Sequence, residues 1–516
     1  MAAHDRTPLL VGVGQYTDHM HADSYAALSP QALAARASAA ALADTGCEGM
    51  ARYLDVIAAV RTVADSVTEE QRQMLAPFGG PDNFPRAVAA RIGADPRLAI
   101  YSVACGDEPQ VLVAEMSQRI RNGEFEAVLL CGAEAAATTR SAQRTGRSID
   151  WSECVGGQCE DHGKGTSDLL SAELEAHGME MPLWVYPLFE NRRRHVSGQT
   201  SADYAAGMGM LLERFNTVAM ANSYATHREA LTAEQISAIT RDNRLVSEPY
   251  TKWMVAKDGV NQGAAVVLTS AGLARQLGIP EQRWIYPLSH AQGLERPLLE
   301  RPDLADSPML RHTYLKALER AGISAAALSH FDLYSCFPIV VSLALEAMGI
   351  THEDPRPLTV TGGLPFFGGP GNNYSMHAIA SMVEALREHP ERIGLVGTNG
   401  GYLSRHAVGI YGSVAPRNGE GLAGSEIPLT LAQASAPAFD ASPAGYGVIE
   451  SFVVLPGAQG PSGAIIGRLA SSGRRFIARC NDTAAVRQRM LDADPIGHTV
   501  SVTHDGNNAA FAFVAD

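Results

Sequence analysis

The run Asn261-Gln262-Gly263-Ala264-Ala265-Val266-Val267-Leu268 decides how this chain is read. It closes a stretch, residues 137–258, that breaks the pattern on either side. That stretch opens with the polar, Cys- and Gly-containing segment Trp151-Ser152-Glu153-Cys154-Val155-Gly156-Gly157-Gln158-Cys159 and continues as a Met- and Ala-rich helical portion around 203–230. Before it, strands and helices alternate. Residues 8–14 read as a buried strand ending in glycines, 30–44 as an Ala-rich helix, 56–60 as a strand, 87–91 as part of a helix, and 99–103 as a strand leading to Cys105. A helix from Pro109 to about Arg121 is stopped by Gly123, and 127–130 forms the next strand, ending in Cys131-Gly132-Ala133-Glu134. This alternation predicts a mainly parallel sheet between helical layers.

A similar unit returns after the decisive run. Tyr374 to Arg387 reads as a helix, Glu388-His389-Pro390-Glu391 breaks it, and Ile393-Gly394-Leu395-Val396 is a strand running into Thr398-Asn399-Gly400-Gly401. Helix, charged loop, strand and glycine turn recur in the same order in 109–134 and 375–401, as a duplicated βα domain would give. Residues 414–428 read as a linker. Beyond it, 446–455, 464–469, 476–479, 499–503 and 509–514 are short, alternating or apolar segments with Gly, Pro and Asn-Asp turns, the pattern of a small antiparallel barrel.

A chain of 516 residues calls for two or three domains, and 46% hydrophobic against 19% charged residues supplies a globular core. The 49 glycines and abundant alanines suit layers whose backbones approach closely. A net charge of -14 argues against a general nucleic-acid or anionic-membrane surface. No run of apolar residues is long enough to span a bilayer, and Leu9–Gly14 is too short for a signal-peptide core. Seven scattered cysteines without paired CxxC motifs predict neither a disulfide framework nor a metal site, and fit a cytoplasmic protein.

Three segments, Asn261–Leu268, Asp332-Leu333-Tyr334-Ser335-Cys336-Phe337 and Gly397-Thr398-Asn399-Gly400-Gly401, resemble the thiolase superfamily in order and separation. Arg244-Leu245-Val246-Ser247-Glu248-Pro249-Tyr250 resembles its SCP2-thiolase-like branch. The resemblance covers roughly residues 8–412. With the C-terminal barrel added, the layout most resembles the type 1 thiolase-like proteins, a group often given the name acetyl-CoA acetyltransferase. It implies an α/β protein with a duplicated thiolase fold of five αβαβα layers, a loop domain, and a small antiparallel OB-like C-terminal β-barrel. The corresponding boundaries are 1–136 and 259–413 for the two thiolase halves, 137–258 for the loop domain, 414–428 for the linker and 429–516 for the barrel.

The resemblance also places the chemistry. Thiolases need a cysteine nucleophile at a helix N-terminus, an oxyanion-holding Asn or His, a His base and a second acid/base Cys. Cys105 precedes a helix, which favours a thiolate, but Asp107 and Glu108 oppose it. An ungapped count back from Gly123 puts Gly106 at the nucleophile position, and the plain alternative for Cys105 is a small buried residue at a strand end. Tyr334 replaces the oxyanion Asn or His, and its phenol still donates a hydrogen bond. Gly369, in Gly362-Gly363-Leu364-Pro365-Phe366-Phe367-Gly368-Gly369-Pro370, stands where the His base belongs, leaving His377 as the nearest substitute. Thr398 stands where the second Cys belongs, and Gly400 and Gly401 offer backbone N–H groups. Asn372 and Asn399 complete the substrate-binding set. Arg192-Arg193-Arg194-His195 reads as a solvated basic face more readily than as a phosphate site. Asp258 replaces a Ser that lies beside the pantetheine in thiolases, and Phe78-Gly79-Gly80-Pro81 reads as a turn.

The resulting expectation is an acyl-CoA-dependent acyltransferase of thiolase type with altered catalytic residues and no standard thiolysis. Its rivals are a non-catalytic acyl-CoA or lipid-binding protein and a retro-aldol lyase working through Tyr334. A coenzyme A thioester is expected as substrate or ligand, with no permanently bound cofactor, no metal, no nucleic acid and no membrane span. A monomer and a homodimer are both open.

Overall fold

The structure, a computed structural model, describes residues 4–165, 169–416, 422, 428–431, 435–458, 460–480 and 482–514. Its order begins with β1 (Pro8–Thr17), buried along most of its length, and α1 (Pro30–Asp44) laid against it. Ser29 caps α1 by accepting the Ala32 N–H at 3.3 Å, and Pro30 occupies the first turn, where its missing N–H costs nothing. Side chains at Gly12 and Gly14 would overlap the α1 backbone at Ala41 and Ala37. Glycine in the strand and alanine in the helix are therefore what bring this layer to its sheet.

The first half continues with β2 (Val56–Ala59), α2 (Glu69–Leu75), α3 (Phe84–Arg91), β3 (Leu98–Tyr101), α4 (Glu108–Arg121), β4 (Ala127–Ala135), α5 (Ala136–Thr145) and β5 (Glu160–Asp161). The loop region carries α6 (Ala172–Ala176), α7 (Pro182–Ser197), α8 (Ser201–Ala221), α9 (Ala233–Ser237), β6 (Leu245–Ser247) and β7 (Tyr250–Thr251). Then follow β8 (Asn261–Ser270), α10 (Ala271–Gln276), β9 (Tyr286–Leu294), α11 (Pro308–Ala321), β10 (His330–Leu333), α12 (Pro338–Met348), α13 (Tyr374–Glu388), β11 (Ile393–Gly400) and β12 (Arg405–Gly412). The tail adds β13 (Gly445–Leu455), β14 (Ser462–Leu469), β15 (Arg475–Cys480), α14 (Thr483–Val486), β16 (Thr499–His504) and β17 (Ala509–Phe513).

One sheet runs β1-β8-β4-β2-β3-β5 and the second β10-β11-β12-β9. Helices α4 and α13 pack between them, α1 and α3 cover the outside of the first sheet, and α11 and α12 cover the second, giving the five αβαβα layers. Alternation along fully buried strands divides the core. Val56, Ala58 and Val60 face the central helices, while Ile57 and Ala59 face α1 and α3.

Two expectations are corrected. The sheets are mixed: β1, β8 and β4 are antiparallel neighbours, and so are β11, β12 and β9, while β4, β2 and β3 are parallel. The decisive run does not open a second half at residue 259. As β8, it slots between β1 and β4 of the first sheet, and the second sheet begins with β9. The run Gly263–Leu268 within β8 announces burial on both faces, not which sheet receives it. The edge of β3 is covered by the short β5, residues 160–161.

The barrel closes as β13-β14-β15-β17-β16, antiparallel except for a single parallel pairing of β15 with β17. It is locked to the core by Arg475, fully buried, which donates to Glu450 at 2.5 and 3.0 Å and to the Leu299 and Arg301 carbonyls at 2.9 and 2.6 Å. Of the linker reading, residues 417–421 and 423–427 lie outside the described residues.

Candidate active site

The segments just after β3 and β10 and the last residues of β11 meet at one point. Cys105, 3% exposed, lies just before α4, with Asp107 at the helix N-cap. A side chain on Gly400 would overlap the Cys105 sulfur, and a Cβ on Gly106 would sit 2.5 Å from the Tyr334 hydroxyl. The same Gly106 Cβ would also overlap the Asn399 carbonyl. Cys105, Gly106, Tyr334, Asn399 and Gly400 therefore form one site, packed so closely that glycine is required at two of the positions.

Its electrostatics oppose a thiolate. Burial pushes the Cys105 thiol well above its ordinary range, the adjoining Asp107 and Glu108 carboxylates push it further, and Arg405 only partly counters them. Burial likewise raises Asp107 and Glu108. The field of the α4 N-terminus does not outweigh this burial and the Asp107 carboxyl at the N-cap. Tyr334 is raised by burial and then by Cys336, Cys105 and Asp107, so its phenol keeps its proton.

Burial and neighbouring charges act on the Tyr334 hydroxyl, with no hydrogen bond to it among the described residues, and the buried Asp107 Oδ1 and Asn399 Oδ1 have no partner. Unpaired polar atoms converging on one point mark a place where a ligand or water is received. The wall behind them is fully wired. Tyr186 Oη accepts from Asn399 Nδ2 at 2.8 Å and from the Leu403 N–H at 3.0 Å, and donates to the Gly401 carbonyl at 3.2 Å. Cys336 lies 3.7 Å from Asn399 Nδ2.

The remaining candidates fall elsewhere. His377 is fully buried, with Nδ1 2.8 Å from Gln15 Oε1 and its ring edge-on to Phe367 at 5.0 Å. Burial brings it down to about 3, so it stays neutral. Helical geometry explains the placement: Tyr374 and His377 share the face against Phe367, while Ser375 points the other way and donates to the Gly106 carbonyl at 2.6 Å. Thr398 donates to the Ala407 carbonyl at 2.8 Å across the β11–β12 ladder, since strand alternation turns Asn399, not Thr398, toward the site. Asn372 donates to the Arg61 carbonyl at 2.9 Å. Gly401, with φ +58, closes the turn.

Sequence reasoning did not list Asp107, Tyr186, Ser375, Cys336 or Arg405 as site residues. Asp107 carried a signal, its position two residues after Cys105. Tyr186 carried none, because it arrives from the loop region. The arginines of the basic run are ion-paired, Arg192 to Asp303 at 3.2 Å, Arg193 to Glu346 at 2.7 Å and Arg194 to Asp494 at 3.1 Å, and His195 Nδ1 lies 3.1 Å from Asp494. No group of three or more metal-ligating side chains occurs among the described residues, and no helix there is long and apolar enough to cross a membrane.

Comparison with known proteins gives a consistent picture. The family description "thiolase-like protein type 1 additional C-terminal domain" matches residues 426–507. The crystal structure of a monomeric SCP2-thiolase-like protein type 1 from Mycobacterium smegmatis is 35% identical, with a TM-score of 0.81 over 99% of this chain and 100% of that one. The dimeric peroxisomal thiolase of Saccharomyces cerevisiae shares the fold at 13% identity and a TM-score of 0.55, over 80% of this chain and 98% of that one. A curated acetyl-CoA acetyltransferase of Schizosaccharomyces pombe is 27% identical over 144 residues, 28% of this chain and 34% of that enzyme. The match thus spans about a third of the enzyme's length.

Proposed function

This chain belongs to the SCP2-thiolase-like proteins of type 1, and from that premise we propose that it binds a coenzyme A thioester, as a single chain, without catalysing thiolysis. The observation that carries this reading is the pairing of a protonated phenol free of partners, Tyr334, with a thiol that burial, and then Asp107 beside it, hold in its neutral form. Such a site donates a hydrogen bond to a carbonyl oxygen and does not attack the carbonyl carbon. Glycine at position 369 supplies no base, and the Thr398 hydroxyl is engaged by the backbone. The single-chain state is supported by β5 lying along the β3 edge and by the monomeric M. smegmatis relative.

Intact mass spectrometry and calorimetry with a panel of acyl-CoAs test this. The expected result is binding with no acyl mass gain on Cys105. Tyr334→Phe should weaken binding roughly tenfold, the worth of about one hydrogen bond, and Cys105→Ala should leave it within about twofold. Thiolysis of acetoacetyl-CoA, or an acyl adduct lost in Cys105→Ala, would overturn the reading in favour of a transferase.

A second reading is favoured by the buried Asp107 carboxylate, which acts on both Cys105 and Tyr334. With a β-hydroxyacyl thioester, Asp107 would take the hydroxyl proton as the Cα–Cβ bond breaks. The electron pair would pass to the thioester enolate, hydrogen-bonded by Tyr334, and the enolate would then take at Cα the proton held on Asp107, which regenerates the carboxylate. Release of an aldehyde or ketone, abolished by Tyr334→Phe and retained by Cys105→Ala, would establish this lyase.

A further inference from the structure

A cavity of about 140 Å³ opens between the segment after β2, the start of α5 and the turn at Gly79-Gly80-Pro81. Neither Cys105, Tyr334 nor Asn399 lines it. Its body is apolar, walled by Leu75, Ala76, Pro81, Phe84 and Trp151, and a side chain on Gly80 would meet nothing within 4 Å. An apolar cavity of about 150 Å³ accepts benzene.

The charges on its wall are unequal. Arg72 pairs with Asp65 at 3.0 Å and Arg140 with Asp258 at 2.5 Å, so both arginines are neutralised. Glu134 is left over. Its Oε1 accepts the Val63 N–H at 2.7 Å, and its Oε2 accepts no hydrogen bond among the described residues. A cation entering this cavity meets one carboxylate without a counter-charge beside an aromatic wall, whereas an anion meets no free cation.

We propose that this cavity binds a small organic ammonium compound whose apolar body is about the size of a benzene ring, with its nitrogen on Glu134. Burial, followed by Asp65 and Asp258, holds Glu134 up at about 7 against the opposing Val63 N–H. Binding an ammonium therefore requires the carboxyl to give up its proton. Affinity should rise with pH through that range and level above it.

Calorimetry with benzylamine and benzyl alcohol between pH 5.5 and 8 tests the proposal, independently of acyl-CoA binding. Benzylamine, a cation throughout, should bind about tenfold more tightly per pH unit below 7, level off above it, and release protons on binding at low pH. Benzyl alcohol should bind more weakly and without pH dependence. Glu134→Gln should reduce benzylamine to the level of the alcohol, and Ala64→Leu, which fills the cavity, should remove both. The proposal is overturned if wild type binds neither probe at millimolar concentration, or binds the alcohol as well as the amine. It is equally overturned if wild-type affinity for the amine does not change with pH, or if Ala64→Leu leaves binding intact. The two-probe pH profile of the wild type decides the matter even where a variant fails to fold.

Discussion

Two tyrosines meet edge to face at 5.5 Å in the middle of this molecule, and they do opposite jobs. The Tyr374 hydroxyl is within 2.9 Å of Asp332 Oδ1 and 2.6 Å of Thr361 Oγ1, inside a buried network that also fixes Thr359. The Tyr334 hydroxyl, one ring away, bonds to nothing among the described residues. Removing a wired hydroxyl strands its partners, whereas removing an unpaired one strands none. Tyr374→Phe should therefore cost about 2–3 kcal/mol in urea unfolding. Tyr334→Phe should stay within about 0.5 kcal/mol of wild type while losing ligand affinity. Equal losses of stability would remove the case for Tyr334 as a free donor. The same contrast shows how far the site was legible. Cys105, Tyr334 and Gly400 all lie at or just beyond the ends of strands, and motif order alone assembles them. His377 was beyond reach because two residues along a helix reverse the face, so Ser375 arrives at Gly106 in its place. Asn399 and Thr398 are sorted by a one-residue alternation that no count of positions resolves.

At the scale of elements, composition was the better guide. The Ala-rich reading of 30–44 and the glycine-ended strand at 8–14 describe one joint, since β1 and α1 approach until the Gly12 and Gly14 Cα atoms face helix backbone. A Cβ on Gly14 would overlap the Ala37 carbonyl and lie 2.9 Å from the Ala40 Cβ. Both sides of that contact are regular backbone, which cannot rotate away as a side chain can. Gly14→Ala should therefore destabilise by roughly 1–3 kcal/mol, read as a lower urea midpoint with an unchanged slope, although its φ suits any residue. A neutral result would mean that α1 floats on the sheet. What composition did not give was strand partnership. The small and apolar run Gly263–Leu268 reads the same in either sheet, and only the chain's return through the loop region puts β8 between β1 and β4. The barrel strands themselves were legible for the opposite reason: local alternation and turn residues mark each one, although the closing β13–β16 and β15–β17 pairings are not local.

The whole molecule is held together at joints where polar groups cross between units, and one of these joints titrates. The loop region grips the barrel through Asn191, which donates to the Phe452 and Glu248 carbonyls at 3.1 and 3.2 Å, and through the Glu248 N–H on the Val454 carbonyl at 2.9 Å. The Glu248 carboxyl, caught in this seam, is raised by burial to about 7, with Arg194 pulling against the shift. Its ordinary value, and so its value in the unfolded chain, is 4.5. Between the two, the folded protein holds a proton that the unfolded chain has released, so stability falls as pH rises. That contribution is fully present below about 4.5 and is lost as pH climbs through about 7. Glutamine cannot lose a proton, so Glu248→Gln should gain on wild type across this window alone. The gain should reach about 1–3 kcal/mol, the lower figure applying where solvent reaches the seam. Paired urea titrations at pH 4.5, 6 and 8 measure it: the difference between variant and wild type should grow from the first to the second and to the third. It should then hold steady at any higher pH, because the group is fully ionised in both states. Parallel stability curves would show that Glu248 is solvated in the folded protein and that the seam between loop region and barrel is open to water.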